Sequence, residues 1–149
     1  MNCEIVPMTE EHVTGIKNID DLCFESPWSL KAFESELENP IAFYFVAVLD
    51  GQVIGYAGYW WTFGEAQITN IAVHPDFRKK GIASALMDKM IENCIDTDVY
   101  SITLEVRVSN NAAISMYEKY GFERVGLRPK YYSDKEDALL MTKELEQIG

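Results

Sequence analysis

Apolar positions change period several times along the chain, and each change predicts an element. Cys3 to Pro7 reads as a short strand. Thr9 then offers an N-cap oxygen, Glu10 and Glu11 suit the positive end of a helix, and Val13, Ile16 and Ile19 recur at helical spacing. Ser29 can cap a second helix with Phe33 and Leu37 turned inward, and Asn39-Pro40 stops it. Two apolar, aromatic runs follow, Ile41 to Leu49 and Gln52 to Trp61, joined by Asp50-Gly51, a pair that tolerates the positive φ of a hairpin turn. Past a loop at Thr62 to Gly64, a third strand spans about Ala66 to Val73. A helix starting near Gly81 presents Ile82, Leu86, Met90 and Ile91 or Cys94 on one face. Ile102 to Val106 reads as a buried strand, Asn110 or Asn111 as a cap, Ala113 to Tyr120 as a helix and Gly121 as the residue that ends it. Strands near Glu123 to Leu127 and Ala138 to Lys143 complete the order β-α-α-β-β-β-α-β-α-β-β, a mixed α/β sheet.

Composition narrows the setting. No repeat, linker or low-complexity tract interrupts the 149 residues, so one domain over 1–149 is expected. Thirteen Lys and Arg against 24 Asp and Glu leave a net charge of −11, which repels nucleic acid and anionic membranes and attracts cationic partners. Cys3, Cys23 and Cys94 form no CxxC pair, and only His12 and His74 could add imidazole ligands, so neither a disulfide framework nor a structural metal site is expected. The first residues lack the basic and apolar regions of a secretory signal. The longest apolar run, Ile41 to Leu49, is far shorter than the roughly 20 residues of a membrane helix. A cytoplasmic protein is expected.

One stretch concentrates positive charge. Ile71-Ala72-Val73 leads through His74-Pro75-Asp76-Phe77 into Arg78-Lys79-Lys80-Gly81-Ile82-Ala83-Ser84, so a strand feeds a cationic loop and the loop feeds a helix. Three of 13 basic residues therefore stand where the free N–H groups and the dipole of a helix already attract anions. A solvated basic turn before a surface helix would carry the same residues. The P-loop G-x-x-x-x-G-K-[ST] and the dinucleotide fingerprint G-x-G-x-x-G are both absent. Arg78-x-x-Gly81-x-Ala83, following Asn70-Ile71-Ala72-Val73, resembles the pyrophosphate loop [QR]-x-x-G-x-[GA] of the GNAT acetyltransferases. That resemblance implies the GNAT acyl-CoA N-acyltransferase fold, a twisted mixed sheet of about seven strands with about four helices. It implies acetyl-CoA as cosubstrate, with Ile71, Ala72 and Val73 on the pantetheine arm. Arg78, Lys79, Lys80, Gly81, Ile82, Ala83 and Ser84 would surround the phosphates, and a side chain at Gly81 would meet the ligand.

A second stretch carries candidate chemistry. Ile102, Leu104 and Val106 share one face of a strand, and Thr103, Glu105 and Arg107 share the other. A solvated Glu105–Arg107 neighbour pair, a core position for Tyr117 three residues after Ile114, and a plain cap at Asn110 would explain these residues without chemistry. Several blocks together are similar to the bacterial ribosomal-protein alanine N-acetyltransferases within the GNAT family. They are Pro27-Trp28-Ser29 ahead of Phe33, Glu65-Ala66 before Asn70-Ile71-Ala72-Val73, Leu104-Glu105-Val106-Arg107-x-Ser109-Asn110, Ala113-Ile114-x-x-Tyr117-Glu118, Gly126-x-Arg128-x-x-Tyr131-Tyr132 and Glu136-Asp137-Ala138-Leu139-Leu140-Met141. The resemblance implies Glu105 as general base, Tyr117 as general acid and Asn110 at the cofactor, with Trp28, Tyr131 and Tyr132 on the acceptor. Tyr131 and Tyr132 could equally be rim aromatics, and Glu34, Glu36 and Glu38 read as a solvated helix face. The acceptor implied is a protein N-terminus, that of a basic ribosomal protein. A small-amine (polyamine or aminoglycoside) or lysine acetyltransferase of the same fold and a non-catalytic acyl-CoA-binding module are the alternatives.

Overall fold

The sheet grows outward from the Asp50-Gly51 turn, where φ is 50° and 78°, in the left-handed region that Asp and Gly tolerate. In the computed structural model, which describes residues 3–145, this turn joins β2 (Ala42–Leu49) to β3 (Gln52–Thr62). Residues 1–2 and 146–149, counted in the expected domain, lie outside the described residues. β1 (Glu4–Pro7) pairs antiparallel with β2, and β4 (Glu65–Val73) with β3. A second antiparallel block contains β5 (Ser101–Arg107), β6 (Glu123–Arg128) and β7 (Ala138–Glu144). The full order is β1-β2-β3-β4-β5-β7-β6. Four helices, α1 (Val13–Cys23), α2 (Leu30–Glu38), α3 (Ile82–Asp96) and α4 (Asn111–Lys119), complete the mixed α/β fold that the sequence predicts.

Each face of the sheet has its own core. Leu86, Met87 and Met90 of α3 pack with Tyr59, Ile102, Leu104 and Met141 on one side. Ile16, Ile19 and Phe33 of α1 and α2 pack with Val46, Tyr56 and Ala72 on the other. α1 begins later than the Thr9 signal suggests, because Glu10–His12 forms a tighter 3-10 turn first. The Thr9 N–H donates to His12 Nδ1 at 2.9 Å. Among the described residues no helix is long and apolar enough to cross a membrane.

Two irregularities shape the centre of the sheet. β4 and β5 pair in parallel only over Glu65–Gln67 and Ser101–Thr103, and beyond Gln67 they separate. In β4, Gly58 opposes Asn70 while Tyr59 opposes Ile68, so Thr69 is an extra residue in a β-bulge. The bulge reverses side-chain parity. Ala66 and Ile68 face the α3 core before it, Ile71 and Val73 face that core after it, and Ala72 turns to the α1 and α2 side.

Glu36 does not lie on a solvated face with Glu34 and Glu38, which are exposed as expected. It sits one turn beyond Phe33 on the inner side of α2, buried, and accepts from Tyr44 Oη and Trp60 Nε1, each at 2.7 Å, and from Asn39 Nδ2 at 3.1 Å. Three donors replace the water that a buried carboxylate loses.

The Tyr44 ring covers Gly58 so closely that a Cβ there would overlap it. Gly58→Ala is expected to destabilise the protein by about 1–3 kcal/mol through overpacking, measured by urea denaturation. A variant as stable as the parent would show that the ring can move aside.

Candidate active site

The cationic loop folds as a turn with its own backbone requirements. After Val73 come a 3-10 turn at Pro75–Phe77, Lys79 at φ 63° and Gly81 at φ 81°, and Gly81 caps the 15-residue helix α3. The first-turn amides of α3 have no helical acceptor, and that turn contains no acidic residue to compete for them. A Cβ on Gly81 would meet no protein atom within 4 Å, so the protein itself requires glycine for its left-handed φ.

Arg78 differs from its neighbours. Its Nε donates to the Val73 carbonyl at 3.2 Å and its guanidinium lies 3.3 Å from Cys23 Sγ, so it braces the end of β4 against α1. Lys79 and Lys80 are exposed and make no ion pair among the described residues. On the β5 side, the peptide groups of Ile68 to Val73 have no strand partner. Unpaired peptides leading to free helix amides and two lysines fit an elongated ligand with a polyanionic end.

On the other side of the gap stands Glu105, only 12% of its side chain exposed. It does not pair with Arg107. Successive positions on this face point the same way, yet the β6–β7 connection captures Arg107 first. Its Nη1 lies 2.8 Å from Asp134 Oδ2 and 3.0 Å from Glu136 Oε1, with the guanidinium carbon 4.1 Å from the Tyr132 ring centre. Glu105 instead has Arg128 Nε at 3.5 Å. The Glu105 carboxylate within reach of its hydroxyl, and then burial, raise the Tyr131 phenol above its ordinary value. Glu105, Arg128, Thr103, Gln67 and Glu65 line a cleft of about 250 Å³ where β4 and β5 still touch.

The remaining candidates fall into different surroundings. Asn110 rather than Asn111 caps α4, its Oδ1 accepting from Ala113 N at 3.2 Å. The Tyr117 ring is buried in the α3-side core, 5.7 Å from Phe122, while its hydroxyl makes no hydrogen bond among the described residues. Burial, and then the neighbouring Tyr132, push its phenol well above the usual value, so it keeps its proton at neutral pH. Burial likewise raises Tyr132 to about 12, against the opposing Arg107 charge. Trp28 is half-buried at the edge of the α1–α2 core, packing on Phe33 at 5.4 Å and donating its backbone N–H to Asp20 Oδ2 at 2.8 Å. Ser26, just before it, meets Ser133 of the β6–β7 connection at 3.5 Å, so the two loops form one rim.

Sequence reading passed over Arg128, Asp134 and Thr69 as site residues. Arg128 stands within Gly126-x-Arg128-x-x-Tyr131-Tyr132, which is the available signal, whereas Asp134 falls between that block and the one starting at Glu136. Thr69 left none, since a bulge is a register shift between strands.

Comparison with known proteins gives the class and then the family. The class is that of the acetyltransferases, and the match to the Acetyltransferase (GNAT) family covers residues 13–122. The chain belongs to the GNAT family and is an N-acetyltransferase. It is 41% identical over 136 residues, 90% of each chain, to a Bacillus subtilis protein provisionally named a [ribosomal protein bS18]-alanine N-acetyltransferase. It is 34% identical over 127 residues to the Escherichia coli enzyme of that name, covering 83% of this chain and 85% of the other. The crystal structure of the Escherichia coli enzyme superposes with a TM-score of 0.92 at 30% identity, covering 99% and 97% of the two chains. A chain of the NatC complex bound to Gag peptide and CoA superposes at 0.87 with 25% identity, covering 98% and 100%.

The Arg107 clamp has a defined acid response. The Glu136 backbone N–H, followed by Arg107, holds Asp134 below its ordinary value; Ser109, followed by Arg107, does so for Glu136. With folded values below the unfolded 3.8 and 4.5, the contribution to stability is present above about pH 4.5 and lost as pH falls through the lowered values. Arg107→Gln is expected to shrink the drop in melting temperature between about pH 5 and 3. An unchanged drop would show that the clamp adds nothing to folding.

Proposed function

We propose that the protein is an acetyl-CoA-dependent N-terminal protein acetyltransferase that modifies the α-amino group of an N-terminal alanine on a ribosomal protein. The observation that carries this reading is the little-exposed Glu105 carboxylate in a cleft at the mouth of the β4–β5 gap. The names of the Bacillus subtilis and Escherichia coli relatives support the acceptor. An α-amino group has a pKa near about 8, against about 10.4 for lysine, so a carboxylate base suffices to expose its lone pair at neutral pH.

In this reading the β4 backbone at Ile71, Ala72 and Val73 holds the pantetheine arm. The amides of Gly81 to Ser84, with Lys79 and Lys80, hold the phosphates. Asn110 touches the cofactor by its remaining polar surface. Glu105 takes the proton from the amine, directly or through a water, as nitrogen attacks the thioester carbonyl and the C–S bond breaks. Tyr117, held protonated by burial, donates to the departing thiolate. Peptide N–H groups beside the bulge face the carbonyl oxygen as negative charge grows on it. Tyr131, Tyr132 and Trp28 belong to the rim that receives the peptide. Arg78 acts here by anchoring the end of β4, since its guanidinium is engaged there. A basic ribosomal N-terminus complements the −11 charge.

Glu105→Gln is expected to lower turnover on an alanine-initiated peptide by roughly 10²- to 10⁴-fold, with acetyl-CoA affinity by calorimetry unchanged. Full activity would remove Glu105 as the base. Gly81→Val is expected to abolish acetyl-CoA binding and, through the left-handed φ at this position, to lower the melting temperature while the chain still folds by circular dichroism; normal affinity would overturn the phosphate assignment. A mass-spectrometric panel of peptides differing at the first residue, with polyamines and aminoglycosides alongside, tests the acceptor. Preferred turnover of a small amine would replace the N-terminal reading.

A further inference from the structure

The buried Glu36 carboxylate leads to the site through one of its donors. The Tyr44 hydroxyl that donates to Glu36 also lies 3.0 Å from Thr69 Oγ1. Thr69 has one proton to divide between Tyr44 Oη and the Gly58 carbonyl, 3.2 Å away. Thr69 is the extra residue of the β4 bulge, and Gly58 is the residue at which the register shifts on β3. The Tyr44 ring presses on Gly58 while its hydroxyl spans from α2 to the bulge. A charge-assisted bond thus anchors a tyrosine that touches both sides of the irregularity. Trp60 and Asn39 hold the carboxylate from other directions, which keeps the anchor from following Tyr44.

We infer that Glu36, Tyr44 and Thr69 form a positioning device for acetyl transfer, setting the β4 backbone at the bulge without themselves touching the reactants. The inference rests on the proposed use of β4 peptide groups beside the bulge to hold the thioester carbonyl. Three residues on three different elements meet at the one point where β4 changes parity and departs from β5. Displacement of that backbone changes the angle of N–H groups toward the carbonyl, which affects the transition state more than binding of either substrate. Tyr44 is closed off from other work, since burial raises its phenol far beyond the physiological range. Glu36 likewise has both carboxylate oxygens engaged, by Tyr44, Trp60 and Asn39.

The test uses the full chain and follows release of coenzyme A thiol with two separate acceptors, an alanine-initiated peptide and a polyamine. Tyr44→Phe and Thr69→Val are each expected to lower kcat about tenfold, with both KM values within about twofold of the parent. Thr69→Ser should restore kcat, because it returns the hydroxyl without the methyl. The double variant Tyr44→Phe/Thr69→Val should lose no more than the worse single variant, since both remove one linkage. Melting temperatures are measured in parallel, and rates are compared well below each midpoint. A lowered melting temperature with unchanged kcat, additive losses, or failure of Thr69→Ser to rescue would overturn the inference. Should Thr69→Val not fold, Glu36→Gln and Thr69→Ser read against Tyr44→Phe decide by the same criteria. Turnover of the polyamine alone would overturn the proposed acceptor while leaving the device to be judged on the polyamine. Equal kcat losses with both acceptors support the device whichever acceptor is preferred.

Discussion

β4 and β5 share hydrogen bonds at one end and separate toward the other, and the site depends on that separation. A parallel pair in mid-sheet would ordinarily be paired along its length, since unpaired peptide groups away from water are costly. Here each strand is held elsewhere. β4 is bound to β3 along almost its whole length, and β5 is bound to β7 from Ser101 to Arg107. The gap therefore lies between two rigid antiparallel blocks, with α3 as the crossover between them. A ligand that supplies extended hydrogen-bonding groups can occupy it without either block being remade.

Electrostatics distinguish the two sides of this gap. At one end, Lys79 and Lys80 stand beside the helix N-terminus as a local exception to a strongly acidic chain. At the other, two arginines near Glu105 have opposite arrangements. Arg107 is held by two carboxylates with Tyr132 4.1 Å from its guanidinium carbon, while Arg128 pairs, among the described residues, with the single carboxylate of Glu105 and lies farther, 5.9 Å, from the Tyr131 ring centre. Exposed pairs of this kind contribute roughly 0–1 kcal/mol each, so their importance lies in placing charge rather than in stability. Hydrogen bonds to a charged group are stronger, about 1.5–3 kcal/mol, and the buried Glu36 cluster has three. The stronger interactions thus lie beneath the β4 bulge, and the weaker ones surround the cleft.

Most elements could be read from local patterns. Asp50-Gly51 marked the hairpin, Ser29 and the Asn110-Asn111 pair marked helix starts, and Gly121 took the positive φ of a helix end. Glu36 was misread because its neighbours Glu34 and Glu38 suggested an acidic face, whereas its donors come from β2, β3 and the end of its own helix. The Glu105–Arg107 pairing failed for a similar reason. Asp134 and Glu136 are 27 and 29 residues from Arg107, and nothing in their spacing shows that the β6–β7 connection folds back over β5.

The sequence by itself determined the alternation of elements, the glycine-capped cationic loop and the residue types of the candidate site. Those properties are local, set by periodicity, capping and the φ that glycine permits. Tertiary structure decided which charges meet, which face β4 presents after Thr69, and that Tyr117 keeps its ring in the core while its hydroxyl has no partner among the described residues. These outcomes depend on register and burial, which arise only when distant segments pack and exclude water.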